Sequence, residues 1–314
     1  MARILVNDGI EESGKVMLEA AGFIVDMNNI PQDQLIEKLN AYDAICVRSA
    51  TKVRKDLIDA CPNLKVIARG GVGLDNIDVE YAKSKGIKVI NTPAASSRSV
   101  AELVFGHLLG IVRFLHKSNQ AMPTKGATEF NALKKAYAKG IEIEGKTLGV
   151  IGMGRIGQET MKMGLGLGME VVAFDPFVDS VDLTIGNSQY KATITIQKSS
   201  MDEVLSKADF LSMHVPGLAQ PIMNEAEFAK MKDGAILINC SRGGVVNEDA
   251  MLAALNSGKL TAAGVDVFDN EPTPREDILT HPKVSLTPHI GASTAEAQEK
   301  VGAELANQLI SILG

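Results

Sequence analysis

The chain has no tryptophan, four tyrosines, nine phenylalanines and three cysteines among 314 residues. Cys46, Cys61 and Cys240 stand far apart, with neither the spacing of a zinc site nor the even count of a disulfide framework. A reducing compartment, the cytoplasm, is the expectation. No basic block occurs: 32 Lys and Arg stand against 38 Asp and Glu, a formal net charge of −6. That balance offers no electrostatic footprint for nucleic acid or an anionic membrane. No run approaches the ~20 apolar residues that would span a bilayer. MARILVNDG lacks the basic-then-apolar order of a secretory signal. What is present is ordinary for a globular protein, 45% hydrophobic and 22% charged, at a length of about two domains. The 29 glycines suit a fold with many tight strand-to-helix turns.

Short β-branched runs alternate with amphipathic stretches along the chain. RILVN (3–7), FIVDM (23–27), AICVR (44–48), KVIAR (65–69) and KVIN (88–91) form a first set. TLGVI (147–151), EVVAF (170–174), DFLSMH (209–214), AILINC (235–240), AAGVDV (262–267) and VSLT (284–287) form a second. Strands alternating with helices predict parallel sheets covered on both faces, and two sheets of about five and six strands suit the count. Pro31 and Gly86 read as a helix start and a helix end. Between the sets, a helix is expected from Ser99 to about Gln120, with Ser99 and Glu102 as a capping box. Gly106 and Gly110 on it would admit a close neighbour, so it is also the candidate face for a homodimer. A last helix, 293–313, could fold back to complete the first domain. LTIGNSQYKATITI (183–196) reads as a hairpin turning at Gly186-Asn187.

The strongest local motif is Gly152-x-Gly154-x-x-Gly157, directly after TLGVI and before a helical pattern. The first glycine makes the turn, the second admits a pyrophosphate, and the third lets helix and strand pack. The helix N-terminus then offers unpaired N–H groups to the phosphates. Asp175 follows 18 residues after Gly157, at the end of the next strand, where an acid holds the adenosine ribose. No Arg or Lys occurs in residues 175–178 to receive a 2′-phosphate, which favours NAD over NADP. Oxidising a 2-hydroxy acid needs a cation for its carboxylate, a base for its hydroxyl proton, and a carboxylate to hold the base when charged. Arg242, Glu271 and His289 each follow a different strand of the second set. Residues beyond strand C-termini gather on one edge of a parallel sheet. His107, inside LVFGHLLGIV, reads as a satisfied core histidine, and His214 as structural. No histidine pair has metal-ligand spacing.

The segments TLGVIGMGRIG, INCSRGGVVNE, AGVDVFDNEP and TPHIGAST, in that order, resemble the NAD-dependent, D-isomer-specific 2-hydroxyacid dehydrogenases over essentially the whole chain. The resemblance implies an α/β protein of two doubly wound domains: a flavodoxin-like substrate domain (1–95 plus 290–314) and a Rossmann NAD-binding domain (96–289). It places the active site in the cleft between them. It gives Arg242 the substrate carboxylate, His289 the acid/base role, and Glu271 the support of His289. NAD contacts would fall on Gly152, Gly154, Arg155, Ile156, Gly157, Asp175, Cys240, Ser241, Asp266 and Gly291, with Asp266 at the nicotinamide carboxamide.

RSATKV (48–53), VIARGGVGLDNIDV (66–79) and NTPAASSRSVAEL (91–103) are most similar to the family's 3-phosphoglycerate dehydrogenases, which act at the start of serine biosynthesis. Arg48, Ser49, Arg69, Gly71, Lys135 and Arg242 would then meet the substrate, with Lys135 reaching its phosphate. Ser96 departs from the usual Asn of the family, and Ser241 from the commoner Ala. The resemblance also implies a short form, ending at Gly314 without the serine-binding regulatory domain of longer members. The alternatives are a dehydrogenase for another small hydroxy acid, such as glyoxylate, hydroxypyruvate or D-lactate, or an NAD-sensing corepressor of the same fold.

Overall fold

The computed structural model describes every residue except Asn187, so the centre of the expected hairpin turn lies outside the described residues. The chain divides into two units, Met1–Ser99 with Ala292–Gly314, and Val100–Gly291. The resemblance places these bounds at 95/96 and 289/290; the first division of the structure runs through the opening turn of a helix, Ser97–Val112.

In the first unit, β1 (Arg3–Val6), β2 (Ile24–Asp26), β3 (Ala44–Val47), β4 (Val66–Arg69) and β5 (Lys88–Asn91) form a parallel sheet in the order β2-β1-β3-β4-β5, the flavodoxin-like order. Strand residues point alternately to opposite faces, so both faces must be covered. Leu5, Ile45, Val47 and Ile67 pack with Leu35, Leu57 and Ile77 on one side. Ile4, Val6, Cys46 and Ala68 pack with Leu18, Val301, Leu305 and Leu309 on the other. The C-terminal helix Ala295–Leu313 thus belongs to this unit. It crosses the helix Glu12–Ala20 at two glycines: a Cβ on Gly14 would stand 2.8 Å from the Gly302 carbonyl oxygen. The stretch after Pro31 is a mixed helical run: a 3₁₀ turn, Gln32–Gln34, one α-turn, Leu35–Lys38, and a second 3₁₀ turn, Leu39–Ala41.

In the second unit, β6 (Thr147–Ile151), β7 (Glu170–Phe174), β10 (Phe210–Met213), β11 (Ala235–Asn239), β12 (Leu260–Val265) and β13 (Val284–Leu286) form a parallel sheet ordered β13-β12-β11-β10-β6-β7. Strand order reverses between β6 and β10, the switch point where α/β sheets bind ligands. Between β7 and β10 the chain makes an antiparallel hairpin of β8 (Ser180–Gly186) and β9 (Lys191–Gln197). Beyond it, Lys198 makes a parallel bridge to Ala173 of β7, and the Ser199 N–H donates to the Ala173 carbonyl.

The helix expected from Ser99 to Gln120 is in fact two. The first is Ser97–Val112, so Ser99 lies within its opening turn rather than before it, its hydroxyl 2.9 Å from Thr294 Oγ1. It ends at Val112; Phe114, whose φ of 55° is left-handed, then caps a second helix, Leu115–Ala136, bent from the first by 55°. No single helix among the described residues is long and apolar enough to cross a membrane.

Candidate active site

The turn after β6 has the geometry its glycines require. Gly152 adopts a φ of 101°, and a Cβ there would stand 2.2 Å from the His214 carbonyl oxygen. A Cβ on Gly157 would stand 2.0 Å from the Gly152 carbonyl oxygen. Gly154, the N-cap of the helix Arg155–Gly166, differs: nothing lies within 4 Å of where its Cβ would be. The turn is therefore closed below and open above, with Arg155 exposed and Ile156 half-buried over the first helical turn. A dinucleotide pyrophosphate fits this cradle. Asp175, just after β7, is aimed back at it. One carboxylate oxygen accepts the Met153 N–H at 2.8 Å; the other accepts those of Phe177 (2.8 Å) and Val178 (3.2 Å).

His214 closes the switch point from β10. Its N–H donates to the Ile151 carbonyl, its ring Nε2 lies 2.9 Å from Ser212 Oγ, and its buried Nδ1 has no partner. Burial pushes this imidazole down to about 3 from its ordinary 6.5. As pH falls below 6.5 the unfolded chain takes up a proton that the folded ring refuses. The stability due to the neutral ring is therefore complete above pH 6.5 and is lost as pH falls toward 3. His214→Gln is expected to flatten the acid side of the stability profile, by at most about 1.4 kcal/mol per pH unit. Urea unfolding at pH 7, 6 and 5 checks this; parallel slopes for the two proteins would contradict it.

The loops after β11 and β12 are tied together. Asn239 donates from Nδ2 to the Arg242 carbonyl and accepts the Ser241 hydroxyl, at 3.0 and 2.8 Å. Arg242 Nη1 donates to the Ser241 carbonyl at 2.6 Å. Cys240 is buried, and burial with the nearby Asp266 charge pushes its thiol well up, so it stays an inert neutral group. A Cβ on Gly243 would stand 2.0 Å from the Phe268 carbonyl oxygen, which shows how closely the two loops pack. Gly244 N–H donates to Asp269, and Asp269 N–H donates to the buried Glu248 carboxylate.

Glu271 uses both oxygens. Oε1 accepts the Phe268 N–H at 3.0 Å and Oε2 faces His289 Nδ1 at 2.8 Å. With Nδ1 bound, Nε2 is the ring nitrogen presented for proton transfer, on a side chain 45% exposed. The His289 backbone has a φ of 54°, a strained conformation for a residue with a side chain. Asp266, 1% exposed, holds it there: Oδ1 accepts the Ile290 N–H at 2.8 Å and Oδ2 the Gly291 N–H at 2.9 Å.

In the first unit, Arg69 ends β4 opposite Val47, and Arg48 follows Val47 directly, so both stand at one sheet edge. The Arg48 N–H donates to Asp8, Nε to the Gly9 carbonyl and Nη1 to the Gln298 side chain. Arg69 folds over Gly71, whose Cβ would stand 1.9 Å from Nη1. Ser49 is exposed. Nearby in sequence, Thr92 and Ser96 are buried with hydroxyls that have no partner among the described residues. Lys135 is an exposed residue in the last turn of its helix, with no bond to any of these groups among those described. No cluster of metal-ligating side chains occurs among the described residues.

Residues 105–291 match the model of the family described as "D-isomer specific 2-hydroxyacid dehydrogenase, NAD binding domain". The chain belongs to the D-isomer-specific 2-hydroxyacid dehydrogenases. It is similar to a hydroxypyruvate reductase of Thermotoga maritima, 42% identical across 99% of this chain and 98% of that one. It is similar also to a D-3-phosphoglycerate dehydrogenase of Methanocaldococcus jannaschii, 40% identical, of which it spans 58%. A solved glyoxylate reductase of Paecilomyes thermophila superposes with a TM-score of 0.83 at 28% identity, covering 99% and 94% of the two chains. As a dehydrogenase of this family the chain binds NAD, and the open cradle at Gly154 fits that cofactor. Sequence reasoning did not find the support behind the site, Glu248 under Asp269 and the partners of Asp266. Those residues meet only through packing, and no spacing signals them.

Proposed function

We propose that this dehydrogenase interconverts 3-phospho-D-glycerate and 3-phosphohydroxypyruvate, using NAD in preference to NADP, as a cytoplasmic homodimer of serine biosynthesis. In this reading Arg242 binds the substrate carboxylate. His289 Nε2 takes the hydroxyl proton in oxidation and returns it in reduction, and Glu271 keeps the ring oriented. NAD, when bound, takes up the hydride that leaves C2. Asp175, with no Arg or Lys in residues 175–178, supports the preference for NAD. The helices around residues 99–120 would supply the dimer face.

The observation that carries the phosphorylated substrate is the pair of arginines at adjoining strand ends, Arg48 and Arg69, in addition to Arg242. A hydroxy acid without a phosphate needs one cation, not three. A second reading, reduction of hydroxypyruvate or glyoxylate, is supported by the bonds that already hold Arg48 to Gly9 and Gln298. It also has the relative named for hydroxypyruvate, similar along its full length.

Steady-state reduction of phosphohydroxypyruvate, hydroxypyruvate and glyoxylate by NADH separates them. A kcat/KM at least about tenfold higher for the phosphorylated acid is expected. Arg48→Ala and Arg69→Ala should each cost about 10- to 100-fold on that substrate, the loss of a charge-assisted hydrogen bond, and little on hydroxypyruvate. Equal losses on both, or hydroxypyruvate as the better substrate, would decide for the second reading.

A further inference from the structure

His107 lies in the middle of the helix Ser97–Val112, 2% exposed, with both ring nitrogens bonded. Nδ1 is 2.9 Å from Ser285 Oγ and Nε2 is 2.9 Å from Thr287 Oγ1. Thr287 Oγ1 is in turn 2.6 Å from Asp266 Oδ1. Hydrogen counting fixes the direction of this chain. An ionised carboxylate can only accept, so the single Thr287 hydroxyl hydrogen goes to Asp266. The Thr287 oxygen must then accept from His107, which places the ring hydrogen on Nε2. Ser285 donates to the remaining lone pair on Nδ1. Burial lowers the imidazole pKa and so favours this neutral ring, but Nε2–H donates to Thr287 in either charge state.

The chain ends on the backbone that carries His289. Asp266 Oδ1, which takes the Thr287 hydroxyl, is the oxygen that also holds the Ile290 N–H. Gly264 allows this close approach of helix and sheet: a Cβ there would stand 2.8 Å from His107 Cβ and 3.0 Å from Cγ. We propose that His107 is a positioning residue, which fixes the left-handed backbone at His289 through Thr287 and Asp266. This rests on His289 being the acid/base. Without the Thr287 bond the Asp266 carboxylate can rotate, Ile290 and Gly291 loosen, and the His289 ring loses its alignment with Glu271.

Two substitutions that retain half of the ring's bonding test the relay. Glutamine reproduces a donor near Nε2, whereas asparagine reproduces only an acceptor near Nδ1. His107→Leu is expected to lower kcat about tenfold, the effect of about one lost buried hydrogen bond, with KM for the hydroxy acid changed less than about threefold. Amide hydrogen exchange at Ile290 and Gly291 should quicken in the same variant. His107→Gln should recover both properties and His107→Asn neither. Thr287→Val should match His107→Leu, the double variant should lose nothing more, and Thr287→Ser should behave as wild type.

Full kcat and unchanged exchange in His107→Leu would overturn the proposal, as would rescue by asparagine equal to that by glutamine, or additive losses in the double variant. If His107→Leu does not fold, the Thr287→Val and Thr287→Ser pair tests the same bond from its other end. His289→Gln, measured alongside, separates the two levels. If it turns over like wild type, the acid/base reading fails, whereas if it alone is inactive and His107→Leu is not impaired, only the relay fails.

Discussion

His289→Gln is expected to lower turnover in both directions by about 10²- to 10⁴-fold, the usual contribution of a positioned acid/base. The ring is 45% exposed and its Nδ1 is held by Glu271 at 2.8 Å, so in the proposed reading Nε2 is the atom that meets substrate. Glutamine keeps much of the length but cannot carry a proton between the two directions. NADH binding should fall far less than turnover, because the His289 ring is not among the groups assigned to the dinucleotide. Glu271→Gln should cost less, about 10- to 100-fold in kcat, since it removes one charge-assisted hydrogen bond and leaves the proton carrier in place. Steady-state kinetics in both directions and a fluorescence titration with NADH check the pair. A Glu271→Gln enzyme with wild-type kcat would show that the 2.8 Å contact does not orient the ring.

Gly154→Ala and Gly157→Ala, three residues apart, are expected to fail in opposite ways. At Gly157 the new Cβ would meet the Gly152 carbonyl oxygen at 2.0 Å, and that atom is backbone and cannot swing aside. Moving it disturbs the turn and the junction of β6 with the helix Arg155–Gly166, at an expected cost of about 3 kcal/mol. At Gly154 the backbone has φ −69° and ψ −174°, which alanine adopts freely, and no protein atom lies within 4 Å of the added methyl. Its Tm should stay within about 2 °C of wild type. The methyl would occupy the space left for the pyrophosphate, so NADH should bind at least about tenfold more weakly. Calorimetry beside an NADH titration checks both. Unchanged NADH affinity in Gly154→Ala would mean that the dinucleotide does not pass over this turn.

The strands and the glycine turn were legible because each is written locally. A parallel strand buried on both faces is a continuous β-branched run, as in AICV and AILIN, and a phosphate-binding turn needs glycine at defined offsets. Arg242, Glu271 and His289 were likewise marked by standing just past such runs. The break at Phe114 was not legible, because a left-handed phenylalanine carries no glycine or proline to announce it. The start of that helix at Ser97 was misplaced for a related reason: Ser99 has the chemistry of a cap, yet its hydroxyl goes to Thr294, 195 residues away. Only the tertiary structure could decide which carboxylate oxygen holds which loop. Asp266 reads in sequence, by resemblance, as a contact of the nicotinamide carboxamide, and His107 as a core histidine. Packing of the helix Ser97–Val112 against Gly264 sets the ring beside Ser285 and Thr287, and so links a buried histidine to the backbone of His289. Contacts between residues about 180 apart leave no periodicity in the chain, since their partners are chosen by how the sheet and helices fill space rather than by neighbours in sequence.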